Sequence, residues 1–417
     1  MQTNVNTEIL DSQGPSWRQW ILENLNRGCL PHVMLESMVK DNTWSRDSAQ
    51  SALNAGLLFL GHSASPSQIL PGLPPEDRFL LEGASVEILS RMKSPSCALS
   101  RMDRNIFISM ASYLDPMLFF TLQEAVGKAQ EPGLLRFAVI DQNSIDQRQA
   151  IQALPFANQI RYVHVHPQDT LGVSWARNLA FSLYDGEHYL LQIDSHTCFE
   201  PDWDANLRAQ HDALLSRSEK PIISTYPYPF DMVDGVPHYK PSQGKTALVL
   251  RPHPDTSLSE DNVVLGFQGK HMFTDQAVPG CHVAAGFIFC AGHFVEQVTY
   301  DPFLYFHGEE QSLAVRAYTH GWDIFHTTWV PLYHLYKMAN TPHEGHHWYG
   351  SVNAQRAFSS SFLMQRAKAR LARLLCGDGL PGVYGLGQAR SLDDFIDFSG
   401  IDYKNKVINE RYQGLLV

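Results

Sequence analysis

The residues best suited to chemistry are Asp194, Ser195 and His196, which directly follow the short apolar run Tyr189–Ile193. Side chains at i and i+2 of an extended segment point to the same side. The Asp194 carboxylate and the His196 imidazole can therefore share one divalent cation, whose shell a bound nucleotide completes. The same pair also suits a structural role, with Asp194 capping the next turn and His196 making one hydrogen bond. Two further places hold reactive side chains. Glu309 and Glu310 follow His307-Gly308 at the head of a helical pattern, where acids either complement the helix dipole or serve a site. His334 stands alone among apolar and aromatic neighbours in Trp329–Tyr336.

The elements that must position these residues read as strands alternating with helices. Nearly continuous apolar runs at Ile106–Ala111, Leu135–Ile140, Arg161–Val165 and Tyr189–Ile193 are of the buried, parallel-sheet kind. Helical patterns lie between them at Met117–Ala129 and Leu171–Leu183, and a further one follows at Glu200–Ala213. Spacing of this kind predicts an α/β fold with right-handed crossovers. Ligands in such sheets collect beyond the carboxyl ends of the strands, where Ser112, Asp141 and Asp194 would project. Later strands are expected at Pro221–Tyr226, Ala247–Leu250, Val263–Phe267 and Val283–Phe289, with Gly286 allowing a close approach. Trp329–Tyr336 is expected as the last strand, and Lys337–Gly350 as a loop.

The first hundred residues read differently. Ser16 and Pro31 are expected to open small helices, the first ended by Gly28, and Ser45-Arg46-Asp47 a third. His62–Asp77 is a Ser- and Pro-rich linker, and Val86–Arg91 a strand candidate. The expected division is a helical accessory or docking region over 1–103, with its linker near 62–77, a main domain over 104–375 and an extension over 376–417. A formal charge of −11 over 417 residues, from 32 basic and 43 acidic side chains, argues against nucleic acid as the main partner. No apolar run is long enough to span a membrane, and Met1–Gln13 lacks the features of a secretory signal. Six scattered cysteines without a C-x-x-C pair read as reduced thiols, so the expected location is cytoplasmic.

In order, the chain carries Ser112-Tyr113-Leu114-Asp115-Pro116, Gly172-Val173-Ser174-Trp175-Ala176-Arg177-Asn178, Ile193-Asp194-Ser195-His196, Gly308-Glu309-Glu310 and a late strand with His334. Over about Asn105 to Leu375 this resembles retaining glycosyltransferases of the GT-A fold, which have a Rossmann-like, mostly parallel sheet flanked by helices. The nearer likeness is to cytoplasmic hydroxyproline N-acetylglucosaminyltransferases, the more distant one to mucin-type polypeptide GalNAc transferases. The resemblance implies transfer of a sugar, GlcNAc first, from a UDP-sugar to a hydroxyl on a protein or a glycan. It implies that Asp194, His196 and His334 hold Mn2+, or Mg2+, on the donor diphosphate. It places Arg177 at the diphosphate or donor sugar, Ala111, Ser112 and Tyr113 at uracil and ribose, and Asp141 or Gln142 at the base. Gly286 would line the donor sugar, Glu309 and Glu310 would be sugar-binding or catalytic acids, and His347 and Trp348 would belong to a lid over UDP. Leu114 departs from the family, which commonly has Arg there; Arg104 or Lys337 are the cations that could compensate. The alternatives are a transferase building capsule or lipopolysaccharide, and a sugar-nucleotide-binding protein without turnover.

Overall fold

The computed structural model describes residues 14–26, 31–40, 44–46, 48, 49, 52, 53, 56, 104–240, 244–336, 346–348, 354, 355, 359–377, 379, 380 and 382–409. The expected linker at 62–77, the strand candidate at 86–91, Gly28, Lys337 and most of the 337–350 loop lie outside them. Helices α1 (Pro15–Asn26) and α2 (Pro31–Lys40) form near the predicted places. The first begins at Pro15, so Ser16 lies inside it rather than capping it; proline already suits a first helical position. Ile21, Leu25, Met34 and Met38 are buried in the same apolar cluster as Trp175 and Leu313.

The body is α/β, with a mostly parallel central sheet flanked by helices, as the sequence leads one to expect. In chain order its first elements are β1 (Ile106–Tyr113), α3 (Leu118–Lys128), β2 (Leu135–Gln142), β3 (Ile160–Val165), α4 (Val173–Phe181) and β4 (Tyr189–Asp194). There follow β5 (Thr197–Phe199), α5 (Trp203–Leu214), β6 (Pro221–Ser224), β7 (Tyr228–Val233), β8 (Val236–Tyr239), β9 (Thr246–Pro252) and β10 (Phe267–Phe273). Later elements include β11 (Val278–Gly280), β12 (Phe287–Ala291), α6 (Glu309–Thr319), β13 (Asp323–His326), β14 (Leu332–His334), α7 (Ser360–Cys376) and α8 (Leu392–Ser399). Among the described residues, eight strands make the central sheet in the order β11-β13-β6-β12-β4-β1-β2-β3.

Strand β1 shows why the sheet is buried on both faces. Ile106, Ile108 and Met110 pack with Leu118 and Leu122 of α3, while Phe107 packs with Trp175 and Leu179 of α4. That is the period-two alternation of an extended chain with apolar side chains on both sides. Burying each such side chain contributes about 1.5–3 kcal/mol. Parallel pairing of β1 with β2 and β4 sets Ser112 beside Asp141 and Ala111 beside Asp194 at the carboxyl ends.

Several strands differ from expectation. Val263–Phe267 is not a strand, and β9 pairs instead with Phe267–Phe273. The Gln311 side chain supplies hydrogen bonds a strand partner would have made, accepting from Leu265 N at 2.8 Å and donating to Val263 O at 3.1 Å. Likewise β12 starts only at Phe287. Ala284 N donates to Ser224 Oγ at 2.8 Å and Ala285 N to Glu310 Oε1 at 2.8 Å, holding 284–286 in a turn ahead of the strand. Strand β12 is also antiparallel to both neighbours, and β11 to β13, whereas β6 and β13 run parallel. The last expected strand shrinks to β14 and joins a small sheet, β5-β14-β7-β8, outside the central one. No helix among the described residues is long and apolar enough to cross a membrane.

Two neutral imidazoles are built into the body. His326 is fully buried on β13 and donates from Nδ1 to Ser224 O at 2.6 Å. Burial pushes its pKa down to about 4, and that of His211 on α5 likewise to about 4. Both stay neutral in the fold while the unfolded chain takes up protons near the ordinary value of about 6.5. Stability should therefore fall as pH drops from about 6.5 towards 4, by about 3 kcal/mol per residue at most. Urea titrations across that range should show a decreasing midpoint, less steep in the double variant His211→Gln, His326→Gln. A slope identical in that variant contradicts the assignment.

Candidate active site

The site forms where β4 ends. The turn after Asp194 is tied to α3 through Thr121, whose Oγ1 donates to Ser195 O at 2.8 Å and accepts from Thr197 N at 2.9 Å. Asp115, just past β1, accepts from Ser195 Oγ at 2.7 Å, His196 Nδ1 at 2.5 Å and Met117 N at 2.9 Å. Burial works to raise the Asp115 pKa, but the hydrogen bond from His196 and its neighbours holds it below the usual carboxylate range. An ionised carboxylate only accepts, so His196 carries its proton on Nδ1 and turns the Nε2 lone pair towards the cavity. No role was assigned to Asp115 from the sequence; its one signal was its place in Ser112–Pro116.

Strand β14 pairs antiparallel with β5 in a register that sets His334 opposite Thr197, and Leu335 N donates to His196 O at 3.0 Å. His334 Nε2 thereby lies 3.0 Å from His196 Nε2 and 3.1 Å from Asp194 Oδ2. One atom from each of Asp194, His196 and His334 lies within 4.8 Å of the others, a set that can hold a metal ion. Metal–ligand bonds of about 2.1 Å put adjacent octahedral ligands roughly 3 Å apart, which fits both short separations. Two imidazoles and a carboxylate suit Mn2+ and its first-row neighbours. Gly286 closes the cradle, since a Cβ there would stand 2.9 Å from Asp194 Oδ2.

Arg177, buried on α4, reaches Asp194 Oδ1 at 2.8 Å and Glu309 Oε1 at 2.5 Å. Burial tends to raise the Asp194 pKa, but His334 and Arg177 bring it well below the ordinary range. Burial pushes the Glu309 carboxyl up to about 7, against the pull of Arg177. Glu309 Oε2 has no hydrogen-bond partner among the described residues. Glu310 is fixed by Ala285 N, and its Oε2 lies 3.6 Å from His282 Nε2.

These groups line one cavity of about 520 Å³, together with Ala111, Tyr113, Gln142, Gly286 and Trp348. Ser112 and Asp141 do not line it. Both are fully buried behind it, and Asp141 accepts from Tyr162 OH at 2.7 Å while burial pushes its pKa up to about 6. His347 bridges Thr170 Oγ1 at 2.8 Å and Tyr305 OH at 2.7 Å. Trp348 stacks on His346 and packs edge-on against Phe306. Leu114 is buried with a left-handed φ of 46° and does not face the cavity. Arg104 cannot stand in for an arginine there: it precedes β1, at the opposite end of the strands, and pairs with Asp212 at 2.8 Å. Besides Asp115, sequence reasoning missed Tyr305, Phe306, His307, His282 and the 264–267 wall.

A sequence-family model described as Glycosyltransferase (GlcNAc) matches residues 144–405. No curated protein matches the chain in sequence. Similar solved structures include GalNAc-T7 with UDP, GalNAc and Mn2+, at 12% identity and a TM-score of 0.47 over 80% of this chain and 64% of that one. S. aureus TarS in complex with UDP-GlcNAc is similar at 13% identity and a TM-score of 0.35, over 64% of this chain and 72% of that one. The chain thus spans a little under two thirds of the GalNAc-T7 structure it matches.

Asp115 yields a direct test of the cradle. Replacing it by Asn removes the acceptor-only carboxylate that fixes the His196 tautomer, and such supporting partners typically matter about 10–100-fold in metal affinity. Calorimetric titration of Asp115→Asn with Mn2+ should show a loss of that size with the melting curve retained. Undiminished affinity contradicts the assigned role.

Proposed function

Because the chain belongs to the glycosyltransferase (GlcNAc) family, we propose that it moves a sugar, GlcNAc, from UDP to a hydroxyl acceptor on a protein or a glycan, with retention at the anomeric carbon. The observation that carries this reading is the Asp194, His196, His334 set beside Arg177, at the carboxyl end of a parallel sheet and inside a cavity. Asp194, His196 and His334 would hold Mn2+ or Mg2+. When bound there, the ion supplies Lewis-acid stabilisation of the departing diphosphate.

The chain's own residues account for the rest. Arg177 has its fork fixed by two carboxylates, so it enters any donor complex already oriented. Ala111, Tyr113 and Gln142 line the part of the cavity nearest the ends of β1 and β2, which suits the nucleoside. Ser112 and Asp141 support that wall from behind in this reading. Gly286 leaves room for the donor sugar next to Asp194. Glu309, with one oxygen unpartnered and a pKa near 7, can accept from a sugar hydroxyl or donate to it. Leu114, where the resembled family commonly has arginine, does not line the cavity. The segment before Asn105, whose described helices are α1 and α2, is assigned to accessory or docking work.

UDP release measured over a panel of UDP-sugars, with Mn2+ and with EDTA, tests this. UDP-GlcNAc turnover is expected, abolished by chelation and reduced on the order of 100-fold in Asp194→Ala and His196→Ala. Unchanged turnover in those variants contradicts the metal assignment. Radiolabel appearing in lipid and polysaccharide fractions rather than protein would select the glycan-building form.

A further inference from the structure

We propose that a second cavity, between helix α8 and the β11–β13 edge of the central sheet, is a binding site for a small aryl carboxylate. The inference is independent of the transferase reading above and needs neither the metal nor the sugar nucleotide. The cavity has a volume of about 240 Å³ and shares no lining residue with the larger one.

Five aromatic rings set its character. Tyr318 from the end of α6, Trp322 and Phe325 at β13, and Phe395 and Phe398 of α8 all line it. The two phenylalanines stand three residues apart, on one face of their helix. Tyr318 meets Phe395 edge-on with centroids 5.4 Å apart, and stacks on Phe398 at 5.2 Å with planes 12° apart. The polar tips are spent on neighbours: Tyr318 OH donates to Asp394 O and Trp322 Nε1 to Gln297 Oε1, each at 3.1 Å. What these rings offer a ligand is apolar ring surface, which favours a further aromatic ring in stacked or edge-on contact. An apolar cavity of about 150 Å³ already takes benzene, so this one has room for a ring with a short arm.

The charge of the arm follows from the two ionised side chains on the lining, Arg217 and Asp323. Asp323 is already matched, by Arg390 Nη2 at 2.8 Å and by Ser218 Oγ at 2.6 Å. The α8 acids Asp393, Asp394 and Asp397 do not line the cavity. Arg217 makes no ion pair among the described residues. Its Nη1 donates to Ala277 O at 2.7 Å, and its guanidinium lies 4.9 Å from the Phe325 ring centroid, so the group is held beside the rings. Its Nε and Nη2 make no hydrogen bond among the described residues, and paired N–H groups of this kind suit a carboxylate. Arg217 is exposed whereas Trp322, Phe325 and Phe395 are buried, which puts the charge at the mouth and the rings at the floor. A few polar groups at the rim of an apolar pocket are what fix a ligand's orientation.

The test is a fluorine NMR titration of the full chain with 4-fluorophenylacetate, with and without UDP and Mn2+. Saturable binding is expected in the wild-type protein, unchanged by UDP. Arg217→Gln, at an exposed position, should weaken it about tenfold through loss of the charged hydrogen bonds, and Arg217→Lys should restore part of the affinity. The uncharged probe 4-fluorobenzyl alcohol should bind about tenfold more weakly than the acid and be indifferent to Arg217→Gln. No saturable binding to the wild-type protein, or equal affinity in Arg217→Gln, overturns the inference. The alcohol binding as tightly as the acid overturns the carboxylate assignment, and displacement of the probe by UDP overturns its place in this cavity. Failure of UDP to bind at all would count against the function proposed above and leave this titration intact.

Discussion

A single buried guanidinium holds the site together. Arg177 joins Asp194, at the end of β4, to Glu309, at the head of α6. Without it two carboxylates would face each other in a poorly solvated place, and breaking such a buried pair from one side costs about 3–5 kcal/mol. The link also fixes where α6 begins. From there three consecutive side chains reach three walls: Glu309 to Arg177, Glu310 to the 284–286 turn, and Gln311 to the 263–265 segment. One helix start thus sets the cavity's width.

The candidate metal set of Asp194, His196 and His334 depends on strand register in the same way. His334 is 140 residues from Asp194 in the chain, and the pairing of β14 with β5 and β7 brings it back beside the turn it must share. A one-residue slip would turn His334 to the other face of the sheet. Asp115 then decides which nitrogen of His196 meets the cavity, and Gly286 keeps that space open. Each group is set by an element whose main business is packing, so the geometry is prepared before any ligand arrives.

Much of this was legible in the sequence, for identifiable reasons. The buried parallel strands announced themselves as apolar runs, and Asp194 and His196 stood two residues apart at the end of one. What escaped was whatever depended on side chains replacing backbone partners. Gln311 makes Val263–Phe267 a braced wall although its composition is that of a strand. Glu310 and Ser224 hold 284–286 out of β12 in the same manner. Asp141 looked like a cavity residue because it ends a strand, but Tyr162 takes its carboxylate and leaves it buried. His282 gave no signal at all, since a lone histidine in an apolar run reads as core.

The claim at the centre is that Asp194, His196 and His334 together hold a cation where Arg177 and the cavity can meet a nucleoside diphosphate. Anomalous diffraction at the manganese edge, from crystals grown with UDP and Mn2+, addresses it most directly. The account predicts a single strong peak bonded to Asp194 Oδ2, His196 Nε2 and His334 Nε2, with the UDP phosphates completing its shell. UDP bound in the cavity with no peak among those three atoms would contradict it.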